Sequence, residues 1–376
     1  MPTTHEPEDE LVERLLHGPA DESAGAGVIA GAPRRTDRSR DLRALGWLLG
    51  CVAVLVVSAF GAVAWAGTLV PQVDRIEGAF AGLEDRPAPV TGPAAAALDV
   101  LVLGTDRRSD VPTTGEDAAA AAWEPGAQRS DSMMLVHVDA DRRGVSVVSL
   151  PRDAWVEVPG HGPAKINAAY SYGGVPLAVE TFETLTGVRV DHVAVVDGDG
   201  FAALTDAAGG VTVEVPETVT DRARDVTWEA GTHHLDGAAA LDYVGQRYGL
   251  PRGDLDRARR QQAVLRTVLS DLLRTGMRSD PALLGDFVDT VLAHVSVDEE
   301  WSAASIAALA VSLRDLRSAD IRFLVAPVAS FGQEGDQSVV RLDDELGGEL
   351  WTSVRDDRLD GWLAQHPDSE TPETVS

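Results

Sequence analysis

Arg129-Ser130-Asp131-Ser132-Met133-Met134-Leu135-Val136-His137-Val138-Asp139-Ala140-Asp141-Arg142-Arg143-Gly144-Val145-Ser146-Val147-Val148-Ser149-Leu150-Pro151-Arg152-Asp153 holds two short apolar runs around a polar hexapeptide. Residues 133–138 and 145–150 are short apolar runs suited to buried strands. The loop 139–144 is short enough for a hairpin, which makes these neighbours antiparallel and any larger sheet around them mixed.

Further apolar runs suited to buried strands lie at 98–103, 193–196, 211–215 and 321–325. Helical patterns fall between them, at roughly 176–185, 201–208, 254–274, 282–294 and 303–313. Strands alternating with helices predict an α/β class, a three-layer α/β/α domain around a central mixed sheet. Residues 107–128 show no periodicity and read as a long mobile loop after the first strand.

Upstream, residues 44–70 carry no charged side chain, which is long enough to span a bilayer. A cleaved leader is the competing reading, since Ala64-Trp65-Ala66 resembles a cleavage site, but the run is long and starts far into the chain. Arg34, Arg35, Arg38, Arg40 and Arg43 precede it, so the positive-inside bias places the N-terminus in the cytoplasm and everything after the span outside. Residues 1–43 are expected as a disordered cytoplasmic tail, 71–97 as a stalk with a helix at 74–83 and a Pro-rich linker, 98–363 as the folded domain, and 364–376 as a disordered tail.

The 376 residues sum to a formal net charge of −28, a field that repels polyanions and disfavours a generic nucleic-acid binder. An anionic ligand must be held by local arginines or a metal ion. Cys51 is the single cysteine and lies in the apolar run, so no disulfide forms in the remainder. His233 and His234 stand side by side with no ligand-spaced partner and read as structural or surface residues. No Gly-x-Ser-x-Gly elbow, Walker loop or His-Glu-x-x-His is present.

Chemistry concentrates where Arg and Asp meet strand ends: Gly104-Thr105-Asp106, Arg129-Ser130-Asp131 and Pro151-Arg152-Asp153. Antiparallel neighbours would bring Asp106 and Asp131 together, and paired carboxylates suit a hard cation, Mg²⁺ or Mn²⁺. Arg129 and Arg152 would flank it, and guanidinium groups match phosphate oxygens in a bidentate way. For any one segment alone, surface Arg–carboxylate pairing is the plainer account.

A fourth segment adds Gln246-Arg247 and the helix opened by Asp254, where Arg257 and Gln261, four apart, share a face near its N-terminal end. An anion there meets an arginine and the helix dipole. Lys165-Ile166-Asn167-Ala168-Ala169-Tyr170 carries the only lysine and reads either as a loop over the same site or as a structural turn.

The ordered set Leu103-Gly104-Thr105-Asp106, Arg129-Ser130-Asp131-Ser132-Met133-Met134, Ser149-Leu150-Pro151-Arg152-Asp153, Lys165 to Tyr170, and Gly253-Asp254-Leu255-Asp256-Arg257 with Arg260-Gln261-Gln262 resembles the LytR-CpsA-Psr family. The resemblance implies a glycopolymer transferase of the cell envelope, acting on a polyprenyl-pyrophosphate carrier, with peptidoglycan as acceptor. By position it implies that Asp106 and Asp131 organise the cation. Arg129, Arg152, Arg247 and Arg257 would hold pyrophosphate, and Gln261 would support them. One departure is Gly245, where family members often carry a further arginine. Competing readings are a pyrophosphatase or phosphodiesterase using water, a scaffold that binds wall polymer without chemistry, and, last, a DNA-binding regulator.

Overall fold

The computed structural model describes residues 74–105, 113–114, 123, 126, 128–221, 225–246, 260–268, 289–290 and 293–371. The expected span at 44–70, the tail at 1–43 and most of the 107–128 loop lie outside the described residues. Among the described residues no helix is long and apolar enough to cross a membrane.

Fifteen described strands form one seven-stranded sheet and four two-stranded ribbons. In chain order they are β1 (Arg75–Ile76), β2 (Leu98–Thr105), β3 (Ser130–Val138), β4 (Val145–Leu150), β5 (Trp155–Val158), β6 (Gly162–Lys165), β7 (His192–Asp197), β8 (Val211–Val215), β9 (Val219–Asp221), β10 (Val226–Trp228), β11 (Gly231–Leu235), β12 (Val295–Asp298), β13 (Ile321–Val325), β14 (Val328–Glu334) and β15 (Gln337–Leu342). The large sheet runs β1-β12-β7-β2-β3-β4-β13. It is mixed: β3 pairs antiparallel with β2 and β4, while β2–β7 and β4–β13 are parallel.

The described helices are α1 (Ile166–Thr186), α2 (Gly198–Ala207), α3 (Gly237–Val244), α4 (described over 260–268), α5 (Ala303–Ser312), α6 (Asp344–Arg355) and α7 (Leu359–Gln365). All six residues of β4 are buried, as expected of a strand covered on both faces. One face packs Leu101, Leu103, Leu135, Val148 and Leu150 under Tyr170 and Phe182 of α1 and Leu350 and Trp351 of α6. The other packs Val100, Val136, Val147 and Phe323 against Leu309 of α5 and Leu265 of α4. That alternation is the period-two rule of a strand set between two helical layers.

Helix starts follow their caps. Asp197, Asp236, Ser302 and Asp343 each accept a backbone N–H two or three residues into α2, α3, α5 and α6. The expected cap of α4, Asp254, lies outside the described residues.

Four expectations are corrected. The helical stalk at 74–83 is instead part of the fold: β1 extends the sheet beside β12, Ser296 Oγ donates to Asp74 at 2.6 Å, and Ala79 is buried in the core. The Pro-rich linker is pinned as well, with Arg86 paired to Glu183 of α1 at 2.7 Å, a bond the linker's loop-like composition did not signal. At the other end, residues 364–371 were expected within a disordered tail, but Thr371 is buried and its N–H donates to Phe323 O at 2.7 Å. Finally, α1 starts ten residues before the expected 176, because Gly173 and Gly174 break it into two segments that the Pro176 signal marks only in part. Gly174 sits at φ +65, and a Cβ there would lie 3.0 Å from the Trp123 ring.

Candidate active site

The site begins where β2 ends beside the start of β3. Thr105 pairs with Ser130, and the register shifts by one residue between Gly104 and Thr105, so Asp131 occupies a bulge at the end of two interior strands. Asp106 follows Thr105 in the chain and lies outside the described residues. The antiparallel neighbourhood inferred for positions 106 and 131 is therefore present in the backbone up to Thr105.

Next to this strand end, Pro151 ends β4 and the chain turns, with Ala154 N–H donating to Pro151 O at 2.9 Å and Asn167 N–H to Arg152 O at 3.2 Å. The turn aims Arg152 back at β3, where its Nη1 donates to Asp131 Oδ1 at 2.6 Å. Arg152 Nε lies 3.9 Å from Asp153, whose other oxygen meets Lys165 Nζ at 2.9 Å. Lys165 closes the β5–β6 ribbon opposite Trp155 and is the last extended residue before α1. The segment read as a covering loop or a turn is thus a strand end and a helix start.

These groups line a cleft of about 360 Å³ together with Arg129, Asn167, Ser171, Tyr172 and Gln337. Arg129 is exposed, whereas Asp131, Arg152, Asp153 and Lys165 are half-buried. Among the described lining residues three cationic side chains face two carboxylates, in a chain whose net charge is −28. Half-burial raises the effective strength of each charge relative to open water.

Of the residues singled out in the sequence, Arg129, Asp131 and Arg152 come together here. Gln261 is half-buried on the first described turn of α4 and is not among the cleft's lining residues. Arg247 and Arg257 lie outside the described residues. The adjoining Arg260 points inward: its Nη1 donates to the buried Gln246 Oε1 at 2.6 Å and its guanidinium lies 4.6 Å over the Tyr243 ring. The donor chemistry fits a hard cation, since a carboxylate has two oxygens and several lone pairs, so Asp131 can meet both Arg152 and a metal.

Tyr172 and Gln337 were missed. Tyr172 stacks on His161 with ring centroids 4.7 Å apart, and Gln337 arrives on the β14–β15 ribbon, tied in by Val340 N–H to Asp153 O at 2.9 Å. Neither has a sequence signal, because both reach the cleft through tertiary packing.

The family model described as "LytR_cpsA_psr family" matches residues 81–353, from before β2 to near the end of α6. The chain belongs to the LytR_cpsA_psr family. Cell wall biosynthesis protein LcpA of Corynebacterium glutamicum is 33% identical over 363 residues, covering 84% of this chain and 68% of the relative. Polyisoprenyl-teichoic acid–peptidoglycan teichoic acid transferase TagU of Bacillus cereus is 30% identical over 230 residues, covering 60% and 70%. Among solved structures, a LytR-Csp2A-Psr enzyme from Actinomyces oris superposes with a TM-score of 0.57 at 23% identity, covering 75% of this chain and 95% of that one. TagT bound to LIIa-WTA superposes at 0.55 and 23%, covering 73% and 97%. At that identity the superpositions speak for the LytR_cpsA_psr fold. The family match also begins upstream of Leu98, consistent with the ordered residues 74–97.

Proposed function

We propose that this chain is a phosphotransferase that moves a glycopolymer from a polyprenyl-pyrophosphate carrier onto a muramic-acid hydroxyl of peptidoglycan. On this reading it works outside the cell membrane, anchored by residues 44–70. The observation that carries it is the gathering of Arg129, Arg152 and Lys165 beside Asp131 in one cleft of a strongly acidic chain. The TagU relative, whose name gives a polyisoprenyl-linked donor and a peptidoglycan acceptor, supports the substrate classes.

Arg129 and Arg152, with Arg247 and Arg257, bind the pyrophosphate oxygens, and Gln261 supports that set. Asp106 and Asp131 would hold Mg²⁺ or Mn²⁺, which supplies charge neutralisation when bound. The acceptor oxygen attacks the sugar-side phosphorus and a phosphodiester forms. The bond to the bridging oxygen breaks, polyprenyl phosphate leaves, and Asp106, Asp131 or Asp153 takes the hydroxyl proton. Such a reaction asks the protein mainly for positioning and electrostatics, which this cleft's residue types provide.

Water in place of the sugar hydroxyl would make the same cleft a pyrophosphatase, and Gly245 in place of a family arginine favours keeping a binding scaffold in view. The test is to incubate the chain with a polyprenyl-pyrophosphate-linked saccharide, peptidoglycan fragments and Mg²⁺, and to identify products by mass spectrometry. A phosphodiester-linked saccharide on peptidoglycan is expected. Free saccharide phosphate would replace the transferase by a hydrolase, and bound but unchanged lipid would replace it by a scaffold.

A further inference from the structure

At the other end of β3, about 20 Å from Asp131 by strand rise, a second group of polar side chains is built around one imidazole. His137 is 1% exposed and pairs across the sheet with Asp99 of β2, whose Oδ1 lies 2.8 Å from His137 Nδ1. That contact fixes the ring and leaves Nε2 facing the β3–β4 turn. Nε2 lies 3.2 Å from Asp357 Oδ1, between α6 and α7, and 3.8 Å from Asp139 Oδ1 in the turn. One donor atom each from His137, Asp139 and Asp357 falls within 4.8 Å of the other two.

We propose that His137, Asp139 and Asp357 form a binding site for a divalent transition-metal cation of the Zn²⁺ type, separate from the cleft. Two ligands each about 2.0–2.1 Å from a tetrahedral Zn²⁺ stand about 3.3 Å apart, and the observed 3.2 and 3.8 Å bracket that spacing. The outer contacts are those that orient metal ligands. Asp99 holds the non-ligating ring nitrogen, and Ala140 N–H donates to both Asp357 oxygens at 3.3 Å. Asp99, Asp139 and Asp357 set three carboxylates around one imidazole, and a doubly charged ion offsets that excess. An imidazole with two carboxylates suits Zn²⁺ and its neighbours better than Mg²⁺ or Ca²⁺, which prefer oxygen alone. The ion would staple the β3–β4 turn to the α6–α7 junction and thereby hold the C-terminal helices on the core. The competing occupant of the same space is a proton shared between His137 and the carboxylates.

The experiment uses the full chain in detergent, stripped with chelator and kept in excess Mg²⁺ so that cation sites in the cleft are filled. Zn²⁺ is then titrated while bound metal and thermal unfolding are followed. One equivalent is expected to bind and to raise the unfolding temperature, with Asp139→Asn weakening it by more than about tenfold and Asp131→Asn leaving it in place. Asp139 is half-exposed in a turn, so this variant is expected to fold. Co²⁺ in the unmutated chain gives a second readout, a tetrahedral visible spectrum lost on adding Zn²⁺. No bound Zn²⁺, an equivalent that Asp139→Asn retains, or a Co²⁺ spectrum of hexa-aquo type would overturn the site in favour of the proton.

Discussion

Arg152 is the side chain through which the turn after β4 reaches β3, and its 2.6 Å bond to Asp131 is charge-assisted and half-buried. If it holds pyrophosphate in the proposed reaction, Arg152→Ala removes a donor from developing charge and lowers transfer by about 100-fold or more. A modest fall in unfolding temperature accompanies it, because the half-buried bond to Asp131 is lost. A variant with full transfer at equal folded protein would exclude Arg152 from the site. Asp298 illustrates a purely structural carboxylate. Burial pushes its pKa up, but hydrogen bonds from His192 at 3.1 Å, Val193 N–H at 3.0 Å and Glu300 N–H at 3.1 Å outweigh burial and hold it below 3.8. A depressed folded pKa stabilises above the unfolded value and loses that contribution as pH falls through the folded one. Asp298→Asn is therefore expected to cost about 1–3 kcal/mol near neutrality, with the gap to the unmutated chain closing as urea unfolding is repeated below about pH 4. A gap that stays constant with pH would show that the carboxylate's charge is not what matters.

At the level of elements, the six apolar runs read as strands are strands, whereas nine further described strands, β12 of the large sheet among them, and the helix ends gave no such signal. The runs at 145–150, 211–215 and 321–325 coincide with β4, β8 and β13 because buried β-branched runs leave few alternatives. The 176 start for α1 failed because Ala168, Ala169 and Tyr170 carry no capping signal, and Lys165 gives no side-chain cap bond. What fixes the break is Gly174 at φ +65 against Trp123, a contact between segments far apart in sequence. Gly174→Ala is expected to destabilise by about 1–2 kcal/mol, read by chemical denaturation. Equal stability would place the strain elsewhere. The end of α3 carries a functional counterpart. Gly245 closes that helix with φ −83 and ψ −5, an ordinary right-handed conformation, so an arginine meets no backbone penalty there and sits at the favourable end of the dipole. If the proposed reaction holds, Gly245→Arg should fold normally and tighten binding of a polyprenyl pyrophosphate by roughly tenfold, about 1.4 kcal/mol. Unchanged affinity would mean that the cleft does not need the family arginine.

For the molecule as a whole, the segments outside the motif-bearing middle were the least legible, because their order comes from long-range partners that composition does not reveal. Residues 74–97 look like a stalk until β12 and Glu183 are in place, and residues 364–371 look like a tail until α4 is. The last case is the clearest. Gln262 of α4 is fully buried; its amide donates to Ser149 Oγ at 2.8 Å and to Leu324 O, and its carbonyl accepts from Thr371 Oγ1 at 2.6 Å. One side chain thus joins β4, β13, α4 and the C-terminal segment, next to Gln261. No periodicity marks it, since a glutamine on the inner face of a helix reads as a polar interruption. Thr371→Val keeps the shape and removes the hydroxyl donor, leaving a buried carbonyl short of one hydrogen bond, which costs about 1–3 kcal/mol. Thr371→Ser should keep most of the stability. Both are read as urea midpoints at constant m-value, so that a shift reports the folded state and not a more compact unfolded one. If Thr371→Val unfolds at the same urea concentration as the unmutated chain, the C-terminal segment is an appendage, and the folded unit ends with α7.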